Sequence, residues 1–305
     1  MLAALFREHD LVVATTREEA EREIGDAEVL VSTAFHPLTA DLLQRAQRLR
    51  LIQVAGAGVD HVDLEAARAR GVTVAAVAGA NAVSVAEHVV LAALALLRGL
   101  VRSDRALHSG EWPLAEWMAG AHDLAGRTVG IVGMGRIGRE VAARLLPFGV
   151  GLLYDDVRRL PPEEEAALGL AYADLDALLA ASDLVTLHLP LTPQTRGLLD
   201  AGRIGRMKRG ALLVNTARAE LVDEAALAEA LRDGRLAGAA VDVFHPEPPP
   251  ADHPLRGLPN VLLTPHGAGV TVEAQERIAQ AAVQNILRWL DGRPLADVVL
   301  EGGAR

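Results

Sequence analysis

The sequence predicts an α/β fold with two parallel-sheet domains and an active-site cleft between them. Short apolar runs alternate with helical patterns along most of the 305 residues, which is typical of parallel sheets covered by helices. A glycine-rich turn joins a strand to a helix near the middle of the chain, and a long helical pattern lies close to its end. A chain of this length is large enough for two domains of ordinary size.

The stretch from Arg127 to Asp156 predicts a βαβ unit. An apolar run over residues 128–132 leads into a glycine-rich turn, a helical pattern up to Leu146 and a second apolar run over residues 150–154. The turn has the spacing G-x-G-x-x-G, formed by Gly133, Gly135 and Gly138. In a Rossmann-like unit these glycines make the tight turn, admit a pyrophosphate and let the helix pack closely on the strand. The helix N-terminus then faces the phosphates.

Asp155 ends the second strand of this unit. Its carboxylate is placed to accept hydrogen bonds from both ribose hydroxyls of a dinucleotide, whereas a 2′-phosphate would meet a like charge. We therefore predict NAD as the cofactor. The alternative is an ordinary βαβ unit in which Asp155 caps a helix or faces solvent. Arg158 and Arg159 lie close by and are the main challenge to a preference for NAD over NADP.

The first third of the chain predicts one parallel sheet and its helices. Asn81 to His108 is predicted to be a single long helix, with Ser84 as a candidate N-cap. The other predicted elements are a helix end over Met1 to Arg7, strands over residues 11–14, 28–32, 51–54 and 72–77, and helices over residues 17–24, 38–47 and 64–70. Nothing precedes the first helix, whereas a sheet of this kind normally begins with a central strand. We expect the reading frame to continue upstream into an apolar strand of about five residues; otherwise the sheet lacks a strand.

The remainder of the chain predicts the second domain and a helix that returns to the first. The predicted elements are strands over residues 184–189, 211–215, 238–243 and 261–264, and helices over residues 201–206, 224–233 and 272–290. A last helix of this length most simply packs on the first domain. We therefore predict a discontinuous substrate domain, residues 1–95 plus 268–305, and an NAD-binding Rossmann domain, residues 96–267.

Composition excludes several classes of function. A formal net charge of −10 argues against nucleic acid as a partner. There are no cysteines, so disulfides, thiolate chemistry and cysteine-ligated metals are excluded, and no metal site is predicted. The most apolar segment, residues 83–97, is interrupted by Glu87 and His88 and predicts a buried helix rather than a membrane span. Charged residues from Arg7 onward argue against a signal peptide, so we expect a cytoplasmic protein.

Three polar residues follow predicted strands of the second domain, at the edge of a parallel sheet where ligands bind. They are Arg218, Glu247 and His266. Each has an ordinary alternative: an arginine pairs with a carboxylate, a glutamate between prolines is solvated, and a histidine after proline fills a loop. Beside a nicotinamide they could together catalyse hydride transfer, because His266 can transfer a proton and the planar guanidinium of Arg218 can bind a carboxylate. Glu247 beside His266 would orient the ring and favour its protonated form.

The chain resembles the D-isomer-specific 2-hydroxyacid dehydrogenase family along nearly its whole length. The motifs that carry the resemblance are VAGAGVDHVDLEAA, ANAVSVAEHVV, GMGRIG, LHLPLTPQT, NTARAELVDE, DVFHPEP and TPHGAG. The resemblance implies that Arg218, Glu247 and His266 are the catalytic residues and that the protein is a homodimer joined through the cofactor domain. Ala219 departs from the family, which usually has glycine after the catalytic arginine.

The resemblance also implies the residues of two binding sites. Those lining the NAD site are Gly133, Gly135, Arg136, Ile137, Gly138, Asp155, Leu189, Pro190, Thr195, Thr216, Ala217, Arg218, Asp242, His266 and Gly269. Those binding a small carboxylate substrate are Ala55, Gly56, Ala57, Gly58, Asn81 and Arg218, with the loop at 55–58 offering backbone N–H groups.

The substrate class depends on two motifs. Much of the chain is similar to NAD-dependent formate dehydrogenases, but two motifs differ. The formate dehydrogenase pattern has PQP where this chain has Pro246-Glu247-Pro248, and PHISG where it has Pro265-His266-Gly267-Ala268-Gly269. Formate loses hydride without a hydroxyl proton to abstract, so glutamine suffices there, while Glu247 beside His266 suits proton transfer. We therefore predict a small 2-keto acid and its D-2-hydroxy acid, of the glyoxylate or hydroxypyruvate type.

Other substrates and roles are less favoured. Enzymes similar to phosphite dehydrogenases have a lysine at the position of Ala57, and those similar to phosphoglycerate dehydrogenases have an arginine at the position of Val54. Phosphite and phosphorylated substrates are therefore disfavoured. Formate oxidation is the alternative within the same class. A non-catalytic NAD-binding regulator is the alternative from another class, and the complete set of three catalytic residues argues against it. The pocket for the substrate side chain is expected in loops at residues 32–38 and 111–121.

Overall fold

A computed structural model describes residues 9–33 and 36–303, so the predicted helix end at residues 1–7 lies outside the described residues. Two compact units make up the chain: one runs to Asn81 and resumes at Val272, and the other spans Ala82–Thr271. The sequence placed these boundaries at 95/96 and 267/268. The difference at the first boundary lies in the helix that starts at Ala82, because this helix packs on a helix and on strands of the second unit.

The described residues form eleven strands. They are β1 (Val29–Ser32), β2 (Leu51–Val54), β3 (Thr73–Ala75), β4 (Thr128–Val132), β5 (Gly151–Asp155), β6 (Leu170–Tyr172), β7 (Leu184–Leu187), β8 (Leu212–Asn215), β9 (Gly238–Val241), β10 (Val261–Leu263) and β11 (Val298–Leu300).

The α-helices among the described residues alternate with these strands. They are α1 (Arg17–Glu23), α2 (Ala40–Arg45), α3 (Leu64–Ala69), α4 (Ala82–Arg98), α5 (Leu100–His108), α6 (Leu114–Gly120), α7 (Arg136–Leu145), α8 (Pro162–Leu168), α9 (Leu175–Ala181), α10 (Ala201–Arg206), α11 (Glu224–Arg232) and α12 (Val272–Leu290). Side-chain caps fix several of their starts, as at Thr16, where the hydroxyl and the Glu19 carboxylate form a capping box.

The first unit contains a four-stranded sheet in the order β1-β2-β3-β11. The first three strands are parallel, as predicted, but β11 pairs antiparallel with β3. This last strand was not predicted, because it is only three residues long and two of them are exposed. Every residue of β2 is buried, and its neighbours Leu43 and Val74 are fully buried in the core of the unit.

The predicted strand over residues 11–14 is wrong. The structure has no strand there, and Leu11, Val12 and Val13 are 47%, 64% and 78% exposed. A strand needs a neighbour for its backbone N–H and C=O groups. Among the described residues β1 pairs with β2 alone, and its outward-facing Val31 is half exposed. Local sequence therefore suggested a strand, but the backbone of residues 11–14 pairs with no strand among the described residues.

The second unit contains a seven-stranded parallel sheet in the order β10-β9-β8-β7-β4-β5-β6. The order reverses between β7 and β4, which is the switch point where α/β sheets bind ligands. Successive residues of β8 alternate between two cores, with Leu212 and Val214 on one side of the sheet and Leu213 on the other. The seven-stranded parallel sheet, covered by helices, confirms the predicted Rossmann-like α/β class.

The predicted long helix over residues 81–108 is two helices. Gly99 adopts a left-handed φ of +57° between α4 and α5, which meet at a bend of 62°. Ser84 is not the N-cap, since it lies inside the first turn of α4, buried, with its hydroxyl 3.0 Å from that of Thr271. In the described part of the chain no single helix is long and apolar enough to cross a membrane; α4 and α5 reach that length only as a bent pair.

Some elements escaped prediction entirely. The helix α6 occupies a segment expected to be a loop, and α8, β6 and α9 fill the stretch between β5 and β7. These elements are short: each of the three helices has seven residues and β6 has three. Elements of that length carry too few apolar positions for a clear periodic signal.

Candidate active site

The glycine-rich turn between β4 and α7 has a shape that requires glycine. Gly133 has a φ of +97°, and a Cβ atom added there would lie 2.6 Å from the carbonyl oxygen of His188. At Gly138 an added Cβ would lie 2.2 Å from the carbonyl oxygen of Gly133. Gly135 differs, because an added Cβ would meet nothing within 4 Å. The turn thus brings α7 close to β4 and leaves open space at Gly135.

This open space fits the phosphates of a dinucleotide. Gly135 is the N-cap of α7 and provides no side chain to cap the helix. The N-terminal N–H groups of a helix need partners, and the positive end of its dipole attracts anions. Behind the turn, Asp156 accepts a hydrogen bond from the Met134 N–H at 2.6 Å and so holds the loop in place.

Asp155 ends β5 and lies among other carboxylates. Burial raises its pKa, as do the charges of Asp156 and Asp174, while Arg203 lowers it. No hydrogen bond joins its side chain to another residue that the structure describes. The carboxylate is therefore available to ribose hydroxyls, in surroundings that disfavour a further negative charge such as a 2′-phosphate.

Arg159, one of the two arginines that could have favoured NADP, contacts Glu165 and Tyr172 instead. Its Nε lies 2.9 Å from Oε1 of Glu165, and its guanidinium lies over the ring of Tyr172. The nearby Arg158 is used through its backbone N–H, which donates to Asp156 at 3.0 Å.

The other predicted cofactor residues follow four neighbouring strands at the carboxyl edge of the sheet. They are Leu189, Pro190 and Thr195 after β7; Thr216, Ala217 and Arg218 after β8; Asp242 after β9; and His266 and Gly269 after β10. Thr195 also has a structural role, because its hydroxyl donates to the carbonyl of Pro190 at 2.8 Å. The structure thus gathers these residues along one edge, and their individual contacts with NAD stay predictions.

A buried asparagine shapes the turn that carries Arg218. The Asn215 side chain donates to the carbonyl of Arg218 at 2.8 Å and accepts from the Ala217 N–H at 3.0 Å. The next residue, Ala219, begins a 3-10 turn, and among the described residues only His266 and Asp297 have a positive φ without being glycine. The departure from glycine at Ala219 therefore requires no left-handed backbone.

His266 and Glu247 form a hydrogen-bonded pair, as predicted from the sequence. Nδ1 of His266 lies 2.8 Å from Oε2 and 3.0 Å from Oε1 of Glu247. Glu247 is held in turn by the Phe244 N–H, which donates to Oε1 at 2.9 Å. A carboxylate facing Nδ1 assigns a proton to that nitrogen and orients the ring.

Asp242 holds the loop that carries His266, a role that the sequence did not show. Its carboxylate accepts from the N–H groups of Gly267 and Ala268 at 2.8 and 2.9 Å. The backbone N–H of His266 donates to the Asp242 carbonyl at 2.7 Å, and His266 has a left-handed φ of +52°. Asp242 is 1% exposed. The aspartate therefore fixes an unusual backbone conformation at the candidate proton-transfer residue.

Two further polar side chains at this edge were not fully recognised. His188 directly follows β7, and its Nε2 lies 3.0 Å from the Thr186 hydroxyl. Its Nδ1 and the hydroxyl of Thr216 are buried atoms without a hydrogen-bond partner among the described residues. Burial lowers the pKa of His188 to about 3, so the ring is neutral. Of these two residues, only Thr216 was predicted to line the cofactor site. His188 could have been recognised by its position directly after a buried strand.

The predicted substrate residues of the first unit lie on the loop after β2 and before α4. The Ala55 N–H donates to the carbonyl of Ser32 at 2.7 Å, so it is already used, contrary to expectation. The N–H groups of residues 56–58 make no backbone hydrogen bond within the described chain, which suits the predicted carboxylate site. The side chain of Asn81 likewise has no hydrogen bond to a described residue.

Comparison with known proteins confirms the resemblance. The profile described as "D-isomer specific 2-hydroxyacid dehydrogenase, NAD binding domain" matches residues 90–268. The chain belongs to the D-isomer specific 2-hydroxyacid dehydrogenase family. It is an NAD-dependent oxidoreductase of that family, and the open turn at Gly135 and the carboxylate of Asp155 are the features of its structure that fit NAD.

Relatives within the 2-hydroxyacid dehydrogenase family include enzymes with different substrates. The chain is 41% identical to "Formate dehydrogenase 2, mitochondrial" of Oryza sativa subsp. japonica, covering 97% of this chain and 80% of that one. An NAD complex of formate dehydrogenase from Staphylococcus aureus is 39% identical, with a TM-score of 0.89 over 99% and 91% of the two chains. The holo D-mandelate dehydrogenase of Rhodotorula graminis is 29% identical, with a TM-score of 0.91 over 99% and 94%.

Proposed function

We propose that this enzyme reduces a small 2-keto acid to its D-2-hydroxy acid with NADH, and catalyses the reverse reaction with NAD. Substrates of the glyoxylate or hydroxypyruvate type are favoured. The observation that carries the proposal is the carboxylate of Glu247 on Nδ1 of His266 at 2.8 Å. A histidine with a carboxylate partner is suited to proton transfer, which keto-acid reduction requires and formate oxidation does not.

Each catalytic residue has one task in this reaction. His266 donates the Nε2 proton to the carbonyl oxygen during reduction and takes the hydroxyl proton back during oxidation, while Glu247 balances the imidazolium charge. Arg218 binds the substrate carboxylate through its planar fork and polarises the carbonyl. Bound NADH supplies the hydride for the carbonyl carbon. The products are one hydroxy acid and one NAD, so hydride and proton are both accounted for.

Substrate binding is the second part of the proposal. The N–H groups at residues 56–58, which make no backbone hydrogen bond within the described chain, would bind the substrate carboxylate together with Asn81. Backbone N–H groups can bind a carboxylate without adding charge. Other loops would then select the side chain of the substrate. In line with the family's organisation, residues before Asn81 and after Val272 would form the substrate domain.

Formate oxidation is the second candidate, and the relatives favour it. Enzymes named as formate dehydrogenases share 39% to 44% identity with this chain across almost its whole length. Against it stands Glu247, because the formate dehydrogenase motif given above has a glutamine at this position. The two candidates thus differ at a residue that directly contacts His266.

A substrate panel decides between these candidates. Glyoxylate, hydroxypyruvate, pyruvate and phenylpyruvate are assayed with NADH, and formate and phosphite with NAD, by absorbance at the nicotinamide band. We expect the highest kcat/KM with glyoxylate or hydroxypyruvate, at least about a hundredfold above formate, since proton transfer contributes on that scale. A higher kcat/KM for formate than for every keto acid would overturn the proposal.

We also propose a homodimer joined through the cofactor unit. Exposed apolar side chains are concentrated on and between α5 and α6, namely Leu100, Leu107, Trp112, Leu114 and Met118. Trp112 and Met118 are each 77% exposed, which is unusual for large apolar residues unless a partner covers them. Light scattering should give twice the mass of 32.2 kDa, and Trp112→Glu should yield the monomer. A monomeric parent protein would contradict this assignment.

A cytoplasmic location completes the proposal. It is tested by fractionating the producing cells and following NADH-dependent keto-acid reduction. Activity confined to an organelle or membrane fraction would contradict it.

A further inference from the structure

A second histidine–glutamate pair joins the loop that carries Glu247 to the helix α11. This loop connects β9 to β10, and His253 lies on it, 5% exposed. Nε2 of His253 is 3.1 Å from Oε2 of Glu224, the first residue of α11. The loop is thus tied to the helix by a side-chain contact that the proposed reaction does not use.

The surroundings of His253 determine its protonation. The backbone N–H of Leu255 points at Nδ1 from 3.4 Å, so Nδ1 is an acceptor and the proton is on Nε2. Nε2–H then donates to Glu224, whose Oε1 is buried without a partner among the described residues. Burial raises the pKa of Glu224, Glu220 raises it further, and His253 and His245 lower it. Both nitrogens of His253 are therefore occupied by protein partners, which is the pattern of a group that holds structure rather than exchanges protons.

A short chain of contacts links this pair to the proton-transfer residues. The ring of His253 meets the ring of Phe244 edge to face, with centroids 5.5 Å apart at 84°. The backbone N–H of Phe244 donates to Oε1 of Glu247, which faces His266. Phe244 is itself 8% exposed, so the two rings are packed in the interior. At the next residue of the loop, Arg232 of α11 donates to the carbonyl of Pro254 at 3.0 Å.

We propose that His253 and Glu224 are positioning residues for the reaction: they hold Phe244 in place, and with it the N–H that keeps Glu247 against His266. The inference rests on the proposed function, because it assigns a purpose to the placement of Glu247. Without the pair, the loop keeps its hydrogen bond from Arg232 to Pro254 but loses the buried contact nearest Phe244. The hydrogen bond between the Glu247 carboxylate and Nδ1 of His266 is then formed in a smaller fraction of molecules.

The consequence is a change in pH dependence rather than only a loss of rate. A less well placed negative charge favours the imidazolium form of His266 less, so reduction should fall off at a lower pH in His253→Ala. We expect the midpoint of the pH profile of kcat/KM to move down by about half a unit, a fraction of what removing the charge altogether would cause. His253→Gln, whose amide N–H can still reach Glu224, should restore part of the shift. Phe244→Leu, which keeps the backbone N–H, should give a smaller shift in the same direction.

A double variant separates positioning from general destabilisation. In the Glu247→Gln background there is no charge to position, so adding His253→Ala should move the profile no further. The matched control is His122→Ala, an exposed histidine of the same unit, which should leave the profile unchanged. Folding of each variant is checked by circular dichroism.

The outcomes distinguish the inference from the proposed function. If Glu247→Gln shifts the profile but folded His253→Ala lowers the rate equally at every pH, the positioning role is wrong. If His253→Ala does not fold, His253→Gln and Phe244→Leu carry the test, and profiles unmoved in both would overturn it. If Glu247→Gln itself leaves the profile in place, the proton-transfer role of the proposed function fails, and the positioning role fails with it.

Discussion

Two histidine–glutamate pairs lie on one stretch of the second unit, and they differ in burial. The side chains of His266 and Glu247 are 31% and 29% exposed, whereas those of His253 and Glu224 are 4% and 21% exposed. Both pairs are joined by a hydrogen bond of about 3 Å. The first pair is therefore partly open to solvent, while in the second both ring nitrogens face protein partners.

The comparison shows that the same two residue types occur in different surroundings within one unit. A carboxylate on a histidine suits proton transfer when the other nitrogen can meet a substrate. The same pair serves as an internal anchor when a backbone N–H takes the second nitrogen, as Leu255 does for His253. The predictions that follow test whether this difference in surroundings carries the difference in function.

The largest effect is expected from removing His266, the more exposed histidine of the two pairs. His266→Ala should lower keto-acid reduction by about a thousandfold at every pH, because general acid catalysis is lost. NADH binding, followed by fluorescence, should stay measurable, since the turn at Gly135 and Asp155 is unchanged. His253→Ala should lower the rate by no more than about tenfold, because a positioning residue is lost rather than the acid itself. Equal losses in the two variants would remove the distinction between the pairs.

A third histidine sharpens the comparison, because it has no carboxylate at all. Burial lowers the pKa of His188 to about 3 in the folded protein, against an ordinary 6.5. As the pH falls below 6.5, His188 therefore binds a proton in the unfolded chain but stays neutral in the folded chain. This contribution to stability is fully present above pH 6.5 and is lost progressively between pH 6.5 and about 3.

Replacing His188 should remove that pH dependence. Between pH 7 and pH 5 the parent protein should lose about 2 kcal/mol more unfolding free energy than His188→Asn, at about 1.4 kcal/mol per pH unit. Urea denaturation at the two pH values measures the difference, with His122→Asn as an exposed control. An identical pH dependence in parent and His188→Asn would show that the ring is not held neutral by the fold.

The fold was predictable where elements are long and periodic. The βαβ unit, α12 and the buried strands of the seven-stranded sheet follow from apolar patterns that burial on two faces requires. Residues 11–14 show the limit: an apolar run predicts a strand, but only pairing forms one. The break at Gly99 shows another limit, because a single glycine inside a helical pattern is compatible with both a continuous helix and a bend.

The candidate site was predictable as residue types and less so as contacts. Strand ends and motifs indicated Arg218, Glu247 and His266, and the structure joins the last two. The holding role of Asp242 was not predictable, because it depends on backbone N–H groups 25 and 26 residues away. Likewise, nothing in the letters of DHPL distinguishes a buried His253 from a solvated one.

A smaller effect is expected at Asp155, a carboxylate without a partner in the described chain. Asp155→Ala should narrow the preference for NADH over NADPH by about tenfold, since a like charge no longer faces the 2′-phosphate. The ratio of kcat/KM with the two cofactors measures it, and Asp233→Ala, at an exposed position of the same unit, serves as a control. Equal turnover of both cofactors by the parent enzyme would sink the assignment.

The central claim is that Glu247 serves proton transfer through His266, and one measurement tests it most directly. The pH profile of kcat/KM for keto-acid reduction is recorded for the parent enzyme and for Glu247→Gln, with formate oxidation assayed alongside. Removing the charge should move the alkaline fall in reduction down by about one pH unit, which is about 1.4 kcal/mol of lost charge stabilisation. A profile that stays in place, in a parent enzyme that oxidises formate as readily as the variant does, would contradict the account and leave formate as the substrate.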